Sequence, residues 1–131
     1  MRILLISLFF LTGCVSEADR YQQVLVQYSE AAGQGDLSLL LTGSALHYAT
    51  QSRDFLTELG WSQRGSSSFT QTQVVGKDRV LSCLDVSGVE FFDSAGERVT
   101  PVRSETRILM DVLFTDSNPP KITQLQEAGK C

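Results

Sequence analysis

The sequence predicts an α+β domain in which N-terminal helices pack on a curved antiparallel sheet. Apolar side chains recur at helical spacing over residues 17–59, and segments of strand character separated by turns fill residues 67–126. Helices first and strands afterwards indicate segregated layers rather than alternating βαβ units. The chain has 131 residues, which is the length of one domain with one core.

The first predicted helix covers residues 17–32. It places one apolar stripe at helical spacing: Tyr21, Val24, Leu25, Tyr28, Ala31 and Ala32. Gly33 follows as a helix stop, and Asp36 can cap a brief second helix. That second helix would carry four leucines: Leu37, Leu39, Leu40 and Leu41.

A third helix is predicted from Ala45 to Leu59. Ser44 stands at its N-cap position and Gly60 at its end. Its core side is expected to use five residues: Leu46, Ala49, Phe55, Leu56 and Leu59.

The strands are predicted from period-two alternation and β-branched or aromatic residues. They cover residues 67–75, 79–86, 89–92, 104–114 and 121–126. Turn sequences separate them at residues 76–78, 93–96 and 116–120. The segment 104–114 alternates most clearly, and we expect it to be the longest strand.

The chain begins with a secretory signal. Arg2 supplies a positive charge, an apolar run covers residues 3–11, and Thr12-Gly13-Cys14 follow. A spanning helix needs about 20 apolar residues, so this run is too short to remain as a membrane anchor.

Leu11-Thr12-Gly13-Cys14 resembles the lipobox of bacterial lipoproteins. The resemblance implies cleavage of a signal peptide 1–13, lipid on Cys14, a tether over residues 14–16 and one domain over residues 17–131. Two or three acyl chains anchor firmly, because each buried methylene contributes about 0.8 kcal/mol. The expected location is the extracytoplasmic face of the cell membrane or outer membrane. The alternatives are a plain secretory signal and a buried N-terminal strand.

The charge balance disfavours two kinds of partner. The chain has 11 basic and 15 acidic residues and a net charge of −4, with no basic cluster. Nucleic acid binding needs clustered Lys and Arg, and anionic lipid attracts polybasic segments. We therefore expect no nucleic acid partner, and membrane contact only through lipid.

With lipid on Cys14, two cysteines remain, Cys83 and Cys131. A disulfide between them is expected in an oxidising compartment. The alternatives are two free thiols or an intermolecular bridge. Two cysteines and the single His47 offer no recognisable metal-ligand spacing, and we expect neither metal nor cofactor.

The order of helices followed by a bent antiparallel sheet resembles the cone-shaped domain of the nuclear transport factor 2-like superfamily, which includes SnoaL-like proteins. Residues 82–85, 93–96 and 121–131 resemble small exported actinobacterial lipoproteins of that fold, although Pro119-Pro120 replace the aromatic residue that usually opens the closing strand. The resemblance supports the Cys83–Cys131 disulfide and implies a pocket between helices and sheet, and homodimers are frequent. It implies no reaction.

The candidate pocket residues are Tyr28, Tyr48, Trp61 and Asp85. The aromatic residues, with Phe69, would line the mouth of the cone and stack on a small apolar or sugar ligand. The alternative is that they only pack in the core. Asp85 and Arg107 lie on strand rows that can meet as a cross-strand pair, which needs no function.

No catalytic residue is assigned. His47 would need Asp85 or Asp111 within hydrogen-bond reach to act as an acid or base, and a surface or packing position explains it better. No nucleophile elbow or phosphate-binding loop is present in the sequence.

The preferred function is a non-catalytic, lipid-anchored domain that binds a protein partner or envelope component. The alternatives are a small-ligand-binding protein and a hydratase- or isomerase-like enzyme.

Overall fold

The computed structural model describes residues 16–32, 34–100 and 105–131. The predicted signal peptide and Cys14 lie outside the described residues. The described chain begins with α1 (Glu17–Ala31), a 3₁₀ helix (Leu37–Leu39) and α2 (Gly43–Leu59). Its strands are β1 (Ser62–Arg64), β2 (Ser68–Gly76), β3 (Arg79–Asp85), β4 (Glu90–Phe92), β5 (Arg98–Val99), β6 (Arg107–Phe114) and β7 (Ile122–Lys130). None of the described helices is both long and apolar enough to cross a membrane.

The strands form two antiparallel sheets. The larger sheet has the order β2-β3-β6-β7 and the smaller sheet the order β1-β4-β5. The two sheets are connected along the chain, because β1 leads into β2, β4 follows β3 and β5 leads into β6. Helices packed on these sheets confirm the predicted α+β class.

Two glycines come into close contact where the chain passes between the two sheets. Gly65 has a positive φ of 74°, and a Cβ added to it would lie 2.0 Å from the carbonyl oxygen of Gly88. Only a residue without a side chain permits both the backbone conformation and the approach. The β1–β2 and β3–β4 connections therefore meet where the two backbones can touch.

The predicted apolar stripe of α1 is confirmed. Tyr21, Val24 and Leu25 are buried, and Tyr28 is half-buried. The helix begins after Ser16, whose Oγ accepts a hydrogen bond from the backbone N–H of Asp19 at 3.2 Å. A serine N-cap followed by acidic residues in the first turn suits the positive end of the helix dipole.

Two details predicted for α2 are wrong. The helix starts at Gly43 with Thr42 at the N-cap, and the Ser44 hydroxyl instead donates to the backbone oxygen of Thr123 in β7 at 3.0 Å. Ala45 and Ala49 are the residues that α2 buries, because small side chains let the helix lie close to the sheet. Phe55 lies about 120° around the helix from Ala49, so it faces solvent.

The core side of α2 is consequently narrower than predicted. Leu46 and Leu56 are half-buried, whereas Phe55 is 59% and Leu59 42% exposed.

The alternation predicted for the penultimate strand is confirmed in β6. Ile108, Met110, Val112 and Phe114 are all buried against the helices. It is not the longest strand, because β6 has 8 residues while β2 and β7 have 9 each. β7 runs four residues beyond its predicted end, since it pairs with β6 as far as Lys130.

The N-terminal turn of α1 is fixed to the turn between β2 and β3. The Tyr21 hydroxyl donates to Oδ1 of Asp78 at 2.9 Å, and the Tyr21 ring lies 4.5 Å from the ring of Phe114. Burial and the hydrogen bond to Asp78 raise the pKa of Tyr21. This tyrosine therefore anchors the start of the domain in the core.

A polar contact sets the position of α1 on β2. The Gln22 amide nitrogen donates to the backbone oxygen of Phe69 at 2.7 Å, and its amide oxygen accepts from Thr72. Thr72 in turn lies 2.8 Å from the fully buried Ser82 hydroxyl. Buried polar groups are stable only when paired, so this network favours one register of helix on sheet.

The structure joins Cys83 and Cys131 in a disulfide, with 5.8 Å between their Cα atoms. The bond connects β3 to the residue that follows β7, across the intervening strand β6. It closes the end of the chain onto the sheet, in agreement with the expected pairing.

Candidate functional site

A cleft lies where the C-terminal turn of α1, α2 and the sheet converge. Its inner recess has a volume of about 160 Å³ and lies over the buried face of the sheet. The walls include Tyr28, Tyr48, Phe69, Met110 and Leu125. It lies between helices and sheet, where the family resemblance implied a pocket.

A middle recess of about 130 Å³ adjoins the inner one and shares Tyr28 and Tyr48 with it. Leu37, Ala49 and Leu56 form much of its apolar surface. Because the two tyrosines stand between both spaces, the recesses are neighbouring parts of one cleft.

The largest part of the cleft is the Trp61 recess, with a volume of about 340 Å³. It shares Arg53, Leu56 and Gln63 with the middle recess. Its remaining wall is mostly polar and includes Gln34, Thr57, Trp61 and Ser62.

Arg53 connects the two helices beneath this cleft, and the sequence analysis missed it. Its guanidinium donates to the backbone oxygens of Ala31 at 2.7 Å, Ala32 at 3.2 Å and Gly35 at 2.7 Å. The last carbonyls of a helix lack intrahelical partners, and a cation there also suits the helix dipole. Apolar periodicity carries no sign of such a contact, because the partner atoms belong to the backbone.

Tyr28 separates the inner and middle recesses. Its ring lies 6.3 Å from that of Phe69. Burial raises the pKa of Tyr28, the neighbouring Tyr48 raises it further, and Arg53 lowers it in part. Tyr28 is therefore a neutral phenol over the physiological pH range.

An apolar stripe borders the cleft on the solvent side of α2. It consists of Tyr48, Phe55 and Leu59, which are 70%, 59% and 42% exposed. Their spacing places them on one side of the helix, beside Leu56 of the middle recess. Large side chains exposed together in this way commonly mark an interaction surface.

The structure brings together only some of the predicted pocket residues. Tyr28 and Tyr48 meet at the inner recess with Phe69, as predicted. Trp61 lies in a different recess of the same cleft, with its ring 6.3 Å from that of Phe91. The predicted pocket is thus spread over two recesses.

Asp85 does not face this cleft. Leu84 lines the inner recess, and successive strand residues point to opposite faces, so Asp85 lies on the other face of the sheet. Its carboxylate accepts the backbone N–H of Ser87 at 2.9 Å, and hydrogen bonding from the Ser87 side chain, followed by that from its backbone, lowers the pKa of Asp85. It stands opposite Arg107 in the strand register, as the cross-strand prediction required.

In the part of the chain that the structure describes, neither Asp85 nor Asp111 is in position to act with His47 in acid–base chemistry. His47 is exposed on α2, whereas Asp111 lies on the far face of the sheet with its carboxylate bound to Arg79 at 2.9 and 2.5 Å. The hydrogen bond from Arg79 lowers the pKa of Asp111. Within the described ranges, no three His, Cys, Asp or Glu side chains are grouped to hold a metal ion.

Comparisons with known proteins place the chain by its fold alone. No family model matches it, and no curated protein matches it. A solved structure, the intermembrane space region of the chloroplast protein ARC6, is similar, with a TM-score of 0.62 and 16% sequence identity. The likeness covers 88% of this chain and 98% of the other. At that identity it establishes a shared α+β architecture.

Proposed function

We propose that this chain is a bacterial lipoprotein precursor cleaved before Cys14, whose mature domain is a non-catalytic binding module at the cell envelope. Lipid on Cys14 holds the domain on the extracytoplasmic face of the cell membrane or outer membrane, and the cleft binds a protein partner or another envelope component. The observation that carries the binding role is the open cleft bordered by the apolar stripe of α2.

The dimensions of the cleft favour a large partner over a ligand enclosed in one cavity. Small-molecule sites occupy about 300–1,000 Å³. The inner and middle recesses, at about 160 and 130 Å³, fall below that range. A molecule that extends along the cleft would contact both of them together with Tyr48 and the rest of the stripe.

A small ligand is the second candidate, and the Trp61 recess supports it. Its volume of about 340 Å³ lies within the range of small-molecule sites. The hydratase- or isomerase-like alternative has less support, because His47 is exposed and Asp111 is bound to Arg79 on the far face of the sheet.

We also propose kinship with the nuclear transport factor 2-like superfamily. The support is the helical pair packed on antiparallel sheets, with an apolar recess between helices and sheet. An experimental structure tests this, and a flat sheet or a different strand order would contradict it.

Intact mass tests the anchor. We expect protein purified from bacterial membranes to have the mass of a chain starting at Cys14 plus acyl groups, and the Cys14→Ala variant to lack that mass. An unlipidated, soluble wild-type product would contradict the anchor.

Site-specific photo-crosslinking in intact cells tests the binding role. A photoreactive residue at Tyr48 or Phe55 should give a discrete adduct, because both border the cleft. Val75 is the control, since it is 46% exposed but lies on β2 next to the turn at Gly76. Equal labelling at all three positions would refute the cleft as the binding surface.

A further inference from the structure

The Trp61 recess differs chemically from the apolar remainder of the cleft. Trp61 supplies an aromatic wall, while Gln34, Gln63 and Ser62 supply amide and hydroxyl groups. Among the described residues, neither side-chain amide makes a hydrogen bond within the protein, so both can bond a ligand. An aromatic wall faced by neutral hydrogen-bonding groups suits a ligand with one apolar face and a polar edge.

The charges of this recess are already compensated. Arg53 is the charged side chain in its described wall, and its guanidinium is held by the backbone oxygens of Ala31 and Ala32 at the C-terminal end of α1 and of Gly35 in the following connection. The negative end of the helix dipole therefore offsets its charge. Of the wall residues that the structure describes, none carries a carboxylate. The recess thus offers no uncompensated charge to either an anionic or a cationic ligand.

The position of the indole is fixed from outside the recess. Trp61 is half-buried, and Phe91 of β4 packs 6.3 Å away at an angle of 44°. The backbone N–H of Trp61 also donates to the oxygen of Leu56 in α2 at 2.9 Å. A preorganised aromatic wall binds without the entropy cost of ordering its side chain.

We propose that the Trp61 recess binds a neutral saccharide unit, with the C–H face of the sugar on the indole and its hydroxyls bonded to Gln34, Gln63 and Ser62. This deepens the proposed function and rests on it, because it makes a neutral glycan of the envelope the component that the anchored domain holds. The recess volume of about 340 Å³ is at the lower end for small-ligand sites, which suits one sugar ring better than a long chain.

Wholly apolar ligands fit this recess poorly. Burying the amides of Gln34 and Gln63 against hydrocarbon would leave them unpaired, which opposes binding because a buried unpaired polar group loses its hydrogen bonds to water. A sugar satisfies these amides while covering the indole.

Trp61 also provides the assay, because it is the single tryptophan in the chain. The full lipidated protein, in a zwitterionic detergent without sugar headgroups, is titrated with maltotriose, with chitotriose and with the anionic trigalacturonate. We expect a saturable change in tryptophan fluorescence with at least one neutral trisaccharide and a weaker response to trigalacturonate.

Matched variants locate the response. Gln63→Ala and Gln34→Ala each remove one hydrogen-bonding group and should weaken binding about three- to tenfold, since a neutral hydrogen bond contributes about 0.5–1.5 kcal/mol. Val75→Ala, at an exposed position of β2 outside the cleft, should leave the affinity unchanged. Circular dichroism of each variant checks that the fold is retained.

The outcomes separate this inference from the proposed function. Absence of a saturable change with both neutral sugars overturns the inference, even when the lipidated mass and the Tyr48 adduct are found. A stronger response to trigalacturonate also overturns it. A saturable neutral-sugar response in an unlipidated product supports the recess assignment while removing the anchor.

Discussion

The guanidinium of Arg53 in α2 donates to the backbone oxygen of Ala31, the last residue of α1, at 2.7 Å. A side chain from one helix thus completes the end of the other. The same guanidinium binds Gly35, so it also fixes the connection that presents Gln34 to the cleft. The shape of the cleft therefore depends on a contact beneath it.

Replacing Arg53 by methionine should lower the free energy of unfolding by about 1–3 kcal/mol, because hydrogen bonds to a charged group are lost and helix-terminal carbonyls lose their partner. Urea unfolding followed by circular dichroism measures the effect. Arg98→Met is the control: its ion pair with Glu90, at 3.6 Å, joins two exposed side chains, so its loss should cost less than about 1 kcal/mol. Equal losses in the two variants would contradict the capping role.

Alanine at Gly65 should destabilise the fold by about 3 kcal/mol, since its Cβ would meet the Gly88 backbone and its φ is positive. Gly96→Ala isolates the backbone contribution, because Gly96 has a φ of 79° with nothing within 4 Å of an added Cβ. We expect that variant to lose about 1 kcal/mol. Thermal unfolding of both variants compares them directly. Similar melting temperatures would argue against a steric clash between residue 65 and the Gly88 backbone.

Removal of the disulfide should lower stability by at most about 4 kcal/mol, the value expected when a closed loop is released in the unfolded chain. Cys83 and Cys131 are 48 positions apart, so the loop they close is long. Cys131→Ser is preferable to a change at the buried Cys83, because residue 131 is exposed. Wild-type protein in a reducing agent should match the variant, and a variant as stable as the oxidised wild type would exclude this role.

Acid should destabilise the domain through carboxylates such as Asp111. The hydrogen bond from Arg79 lowers the pKa of Asp111, so the folded state binds fewer protons than the unfolded state. The stabilisation from Asp111 is present above its pKa in the unfolded chain, about 3.9, and is lost as pH falls through its lower pKa in the folded protein. Urea midpoints at about pH 7 and about pH 3 should differ less in Asp111→Asn than in wild type.

Asp116→Asn serves as the control for that experiment. Its ion pair with Lys77 is long, at 3.7 Å, and joins side chains that are 81% and 83% exposed. The acid dependence of this variant should equal that of wild type. If the acid dependence of stability fell in Asp116→Asn but not in Asp111→Asn, the prediction that Asp111 carries it would be wrong.

The parts of the fold that periodicity determines were predictable. The stripe of α1 from Tyr21 to Tyr28 and the alternation of β6 follow directly from which side chains must leave water. The positions of Phe55 and Leu59 were not predictable in this way. Their hydrophobicity is that of core residues, but the close approach of Ala45 and Ala49 to the sheet sets the rotation of α2.

The candidate site was predictable only in its aromatic residues. Tyr28 and Tyr48 were expected at the pocket because large rings on helices facing a sheet commonly line such spaces. Trp61 was grouped with them, yet its position depends on the fold of the small strand β1, whose three residues have no strand pattern in the sequence. Arg53 could not be found, since its partners are backbone oxygens contributed by another element.

Tyr21, near the N-terminal end of α1, is bound to Asp78, whereas the cleft lies at the C-terminal end of the same helix. The start of the domain and the cleft are therefore at opposite ends of α1. With 15 residues at about 1.5 Å each, that helix is about 22 Å long. A lipid on Cys14 would lie only two residues before Ser16, so the N-terminal end would rest close to the bilayer. The binding surface would then stand off from the headgroups by about the length of the helix, within reach of molecules that project into the aqueous space of the envelope.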